Sequence, residues 1–197
     1  MKLLKTTIVA FAASAMLFAA QGEHHAKKEK KKGEIATVVE TGNAASRLLL
    51  KTLGGNLKKH MKKGGPAEAF GFCSTHAADL TAEVDNRLGK RVSIKRVTLK
   101  PRNPANEAAG DEKAVLEALE TLDKNHVRLP RHLIEKTPGG YKYYKPLVIN
   151  KKVCLKCHGT HIDPALKAKI DKTYPTDKAT GYKMGDLRGA VVVTIKQ

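Results

Sequence analysis

The chain has 197 residues, with 37 Lys and Arg against 19 Asp and Glu, for a formal net charge of +18. So basic a balance usually points to nucleic acid, an anionic lipid surface or acidic proteins. An export signal at the N-terminus, and the absence of any stretch that interleaves aromatic with basic residues, exclude nucleic acid. A chain of this length with 41 % hydrophobic residues has room for one domain with a proper core.

Lys2 and Lys5 precede an uncharged apolar run over residues 6–20, and Ala20-Gln21-Gly22 has the small-x-small form of a cleavage site. Residues 1–22 therefore read as a signal peptide. The run is shorter than the roughly 20 residues that span a hydrocarbon core, so cleavage is favoured over anchoring and no membrane span is expected afterwards. The expected location is periplasmic or otherwise exported. Residues 23–33 (EHHAKKEKKKG) are charged and low in complexity, as in a disordered basic linker. The domain proper is expected over residues 34–197.

From 34 to 63, Ile35, Val38, Gly42, Ala45, Leu49, Leu53 and Leu57 recur at three- and four-residue steps, the stripe of an amphipathic helix. Gly54-Gly55 interrupts it, which predicts a kink or a close helix contact. Gly64-Gly65-Pro66 ends this helix and opens a second, to about residue 88. There Phe70, Cys73, Ala77, Leu80 and Val84 share one face, so Cys73 points inward. His76 lies on the rim of that stripe, about 60° away.

Residues 91–99 have strand character, with Val92 and Ile94 in one phase and Val97 and Leu99 in the other. A bulge near Lys95-Arg96 would reconcile them. Two prolines make 101–106 an irregular loop. Residues 111–125 form an amphipathic helix on Val115, Ala118, Leu119 and Leu122, and 141–149 an aromatic strand. Asp163-Pro164 caps and opens a helix to about residue 172. Residues 188–196 close the chain, and the unbroken apolar run 190–193 predicts a central strand covered on both faces. The fold class is α+β: a small, mainly antiparallel sheet with a long N-terminal helical hairpin and helical insertions.

The chemistry is concentrated in Cys154-Leu155-Lys156-Cys157-His158-Gly159. In a C-x-x-C-H motif each thiol can form a thioether to one vinyl group of a single porphyrin, and the adjacent histidine can bind the iron as proximal ligand. A redox dithiol or half of a zinc site would also use two such cysteines, but no second ligand pair stands at zinc-site spacing. The expected cofactor is one covalent haem c, attached by Cys154 and Cys157 with His158 on the iron. Export agrees with this, since c-type attachment in bacteria takes place outside the inner membrane. Cys73 is then left odd among exported cysteines. It is either a small buried hydrophobe or the second axial ligand, with His76, His60, Met61, His161 and Met184 as competitors. Arg96 and Arg102 can each neutralise a propionate, and Arg102 is the candidate kept. Tyr141, Tyr143 and Tyr144 either line the porphyrin or pack as core.

Three segments carry a resemblance: RVSIKRVTLKPRNPAN at 91–106, CLKCHG at 154–159 and YPTDKATGYKMGDLRGAVVV at 174–193. They resemble a family of exported, PAS-like single-haem c-type domains, over roughly residues 35–196. The resemblance implies a PAS-like sheet, covalent haem with histidine on one side of the iron, and a cysteine thiolate on the other. Cys73 occupies the matching place after the Gly-Gly-Pro turn. His76 on the same helix, and EAAGDE at 107–112, depart from the family pattern. An iron with two protein ligands has no open position, which suits one-electron transfer with an acidic redox partner and disfavours an enzyme; no catalytic residue is expected. A thiolate ligand would favour the ferric state and a low potential. The alternative is a haem-based redox or gas sensor acting through a partner.

Overall fold

The computed structural model describes the backbone of residues 10–197 and side chains from residue 31 onward. The expected signal peptide, residues 1–22, lies outside the described side chains, and residues 1–9 outside the described backbone. Contacts divide the chain into two units, one ending at Glu40 and the other spanning Thr41–Gln197. Among the described residues no helix is long and apolar enough to cross a membrane.

Helix α1 (Ala10–Arg87) includes residues 23–33, which the composition had suggested to be disordered. Ala, Lys and Glu fill most of that stretch, and they lose little side-chain freedom in a helix. The helix breaks where Gly-Gly-Pro predicts, at Gly64 (φ −155°, ψ 24°) and Gly65 (φ 70°, ψ −160°), with Pro66 starting the second half. Only glycine reaches the Gly65 conformation without strain. Glu68 clasps the break, its Oε1 taking His60 Nδ1 at 3.1 Å and Lys63 Nζ at 3.0 Å. Gly54-Gly55, by contrast, stays helical, and nothing lies within 4 Å of where their Cβ atoms would be. There is neither a kink nor a close contact there: both face solvent, and buried residues such as Leu49 anchor the helix beside them.

The sheet runs β1-β4-β3-β2, antiparallel throughout, with β1 at Val92–Val97, β2 at Leu133–Thr137, β3 at Gly140–Val148 and β4 at Leu187–Lys196. One face packs Ile94, Tyr143, Val191 and Val193 against Ala45, Leu49 and Val84 of α1. The other packs Val97, Tyr144, Ala190 and Val192 against Leu116 and Leu119 of α2 (Gly110–Lys124). The fold is α+β, and the run 190–193 is the central strand its composition predicts.

Two layers also explain the two phases of β1. Its register with β4 is unbroken from Val92↔Ile195 to Val97↔Ala190, so there is no bulge at Lys95-Arg96. Ile94 is buried in one layer and Val97 in the other. The irregularity lies between Leu147 and Val148 of β3. Helix α2 is rotated from its expected stripe: Leu116 and Leu119 are buried, while Ala118 and Leu122 are exposed. Glu112 is drawn under the same face and pairs with Lys95 at 2.9 Å. Tyr141, Tyr143 and Tyr144 are core, each at most 1 % exposed. The Tyr143 ring lies on Gly42, where a Cβ would come within 2.2 Å of it, and its hydroxyl donates to Asn43 Oδ1 at 2.8 Å.

Candidate functional site

The C-x-x-C-H stretch follows β3 directly. Residues 152–154 form a 3-10 turn that runs into the single-turn helix α3 (Leu155–His158). One tight turn thus places Cys154, Cys157 and His158 together, all half-buried and with neither cysteine in a disulfide. Gly159 must be glycine, because a Cβ there would lie 2.5 Å from the Leu155 carbonyl oxygen. Helix α4 (Pro164–Thr173) then begins as predicted, with Asp163 accepting from the Leu166 N–H at 3.0 Å.

His158 is held from behind. Its Nδ1 lies 2.7 Å from the Ala179 carbonyl, an acceptor, so Nδ1 carries the proton and Nε2 keeps a free lone pair. Burial, with Arg188 and Arg102 nearby, pushes the imidazole pKa down to about 3, so the ring is neutral and able to ligate. The Ala179 loop is fixed in turn. Tyr182 N–H donates to the His158 carbonyl at 2.9 Å and Gly181 N–H to the Gly159 carbonyl at 3.0 Å. The Tyr182 ring meets the His158 ring edge-on at 6.3 Å.

Arg102 supplies the remaining strut. Its Nε and Nη2 donate to Asp177 Oδ2 at 3.1 and 3.0 Å, and Nη2 also to the Cys157 carbonyl at 2.6 Å. Asp177 Oδ1 accepts from Ala179 N–H at 2.8 Å. The residue expected at a propionate is therefore engaged in tying residues 102, 157 and 177–179 together. Sequence reading passed over Asp177, Ala179 and Tyr182. Their only signal was membership of the segment 174–193.

Cys73 sits half-buried on the second half of α1, beside a cluster in which Phe70 packs with Leu166 and Ile170 and in which Cys157 and Tyr174 take part. The Tyr174 hydroxyl reaches the Ser74 carbonyl at 3.4 Å. Burial raises the Cys73 thiol pKa, with Arg96 opposing it, and Cys73 is among the groups that raise the Cys157 thiol. The two cysteines are thus brought within electrostatic reach across 84 positions of sequence.

The competitors stand elsewhere. His76 is exposed and tilted against Phe72, with ring centres 4.7 Å apart. His60 also stacks on Phe72, at 3.8 Å, and is engaged by Glu68. His161 is exposed and contacts Thr160, and Met184 is 48 % exposed. Met61 is half-buried on the first half of α1. Among the described residues no group of three or more His, Cys, Asp and Glu is arranged to hold a bare metal ion.

The site has the groups that a covalent haem needs: two unpaired thiols one turn apart and an imidazole with its Nε2 lone pair free. Among curated proteins none matches the chain. A solved structure, titled as that of the cyanobacterial heme-protein Tll0287, matches with a TM-score of 0.56 at 24 % identity, covering 84 % of this chain and 96 % of that one. At that identity the likeness is one of fold. The profile of the Tll0287-like family matches residues 9–196. That is nearly the full length, and the chain belongs to the Tll0287-like family.

Proposed function

We propose that this is an exported, haem-binding protein with one covalent haem c, serving one-electron transfer. The observation that carries the reading is the His158 Nδ1 contact to the Ala179 carbonyl at 2.7 Å. It fixes the tautomer that a proximal ligand requires, immediately after two unpaired cysteines. Cys154 and Cys157 would hold the porphyrin vinyl carbons, His158 one face of the iron, and Cys73 the other. The match to a family and a fold that include a heme-protein supports the same reading.

When bound, haem supplies a one-electron couple. The chain's contribution is to exclude water and fix the ligands. The Arg102–Asp177 pair and the Tyr182 loop hold His158 in place, while the second half of α1 carries Cys73 inward. Cys73 is preferred over His76 because His76 is exposed and turned to Phe72. With both axial positions supplied by the chain there is no open site, so no enzymatic activity is proposed. Lys151, Lys152, Lys156 and Lys183 are exposed in and around the attachment turn and its supporting loop, which suits an acidic redox partner in the periplasm.

The second reading is a redox or gas sensor acting through a partner. It is favoured by the burial that raises the Cys73 thiol, since such a ligand is readily lost on reduction. Optical and EPR spectra of both oxidation states, with and without CO or NO, separate the two. Electron transfer predicts a low-spin ferric spectrum with a thiolate signature that Cys73→Ala removes, and no response to either gas. Ligand replacement on reduction would favour the sensor. A high-spin iron open to added ligand would overturn both.

A further inference from the structure

Arg102 and Arg188 act on the attachment turn and Arg96 on Cys73, and the three arginines are unequally provided for. Arg102 is paired with Asp177 and the Cys157 carbonyl. Arg188 donates to Thr98 Oγ1 at 2.7 Å and to the Lys100 carbonyl at 3.2 Å, and lies 5.4 Å from the Tyr182 ring centre. Arg96 has no such partner. Its Nε is buried without a hydrogen bond, and among the described residues no carboxylate pairs with its guanidinium. A buried N–H left in this state is costly, because it has lost water and gained no acceptor in return.

Its position says what would satisfy it. Arg96 stands on the edge strand β1 opposite Val191, on the face it shares with Ile94. The groups within its electrostatic reach are Cys73, Tyr174 and Arg188. Arg96 and Cys157 thus share Cys73 as an electrostatic neighbour. On the proposed reading the Cys73 sulfur is bound to the iron and its charge is spent there. A single sulfur also leaves much of a guanidinium fork unused, whereas a carboxylate matches it with two parallel N–H···O bonds.

We propose that Arg96, rather than Arg102, is the residue that binds a haem propionate carboxylate. The assignment rests on the covalent-haem reading, which supplies the carboxylate. Arg102, the candidate from sequence, already has its buried counter-ion in Asp177, whereas Arg96, within reach of Cys73 and Tyr174, keeps an unpartnered Nε.

The test uses the haem-loaded, full chain and its Arg96→Leu and Arg96→Lys variants. Intact mass reads whether haem is attached, resonance Raman reads the propionate-bending band, and EPR reads the axial ligands. The expected result is a shift of the propionate band in Arg96→Leu, partial recovery in Arg96→Lys, and unchanged ferric g values in both. The midpoint potential should fall in Arg96→Leu, since a cation has left the neighbourhood of the ferric iron. An unmoved propionate band overturns the assignment, and an unmoved band with altered g values places Arg96 on the axial thiolate instead. Wild-type protein lacking the haem mass overturns the parent reading, which is a separate result. Arg96→Lys keeps the charge and serves if the leucine variant does not fold.

Discussion

Asp177 holds the site together from outside the motif. One oxygen takes two N–H groups of Arg102, the other takes the Ala179 amide, and the Ala179 carbonyl takes His158. The side chains of Asp177 and Arg102 are 3 % and 12 % exposed, so neither charge is well hydrated without the other. Replacing Asp177 with Ala leaves Arg102 buried and unpaired, and should cost about 3–5 kcal/mol of stability, read as a lower urea midpoint at unchanged slope. The same variant releases the Ala179 amide, so the carbonyl that holds His158 loses its anchor, the tautomer is no longer fixed, and the ferric spectrum should broaden. Converting both Asp177 and Arg102 to Leu should recover part of the stability but not the spectrum. None of this was legible in the sequence. Arg102 and Asp177 are 75 positions apart, and only the folded loops show that they meet. The grouping of Cys154, Cys157 and His158 on one turn was readable because the motif is local and fixes its own spacing.

At the scale of elements, the glycines of α1 divide into two kinds. Gly64 and Gly65 break the helix, and Gly65 has a positive φ that other residues resist. Gly54 and Gly55 are helical, exposed and unobstructed. Changing both of the latter to Ala should stabilise the protein by about 0.5–1 kcal/mol each, seen as a higher Tm with the haem spectrum unchanged. Gly42→Ala should do the opposite, because its Cβ would enter the Tyr143 ring. Pattern reading found α1, α2, α4, β1, β3 and β4 because each has a periodic apolar face or a cap. It missed β2, whose five residues LIEKT lie at the sheet edge and pair with β3 across the tight Pro138-Gly139 turn. The bulge assigned to β1 came from assuming one buried face. With α1 residues over one side and α2 over the other, both phases are buried.

For the whole molecule, the charge and the haem site have to be read together. A net charge of +18 and exposed lysines in the attachment turn give a long-range attraction for an acidic carrier that salt screens within a Debye length of about 8–10 Å. Electron exchange with an acidic one-electron carrier, followed by stopped flow, should therefore slow steeply as ionic strength rises. A rate independent of salt would contradict docking through this surface. The α+β scaffold positions the site by tying the attachment turn to the 177–182 loop and to Phe70 of α1. All of these claims depend on haem being bonded to Cys154 and Cys157. The direct measurement is the intact mass of the chain exported from a host with c-type maturation machinery. The account predicts the polypeptide plus one haem, retained in acidified acetone and lost in Cys154→Ser/Cys157→Ser. A wild-type chain carrying no haem, or haem that extracts freely, would contradict it.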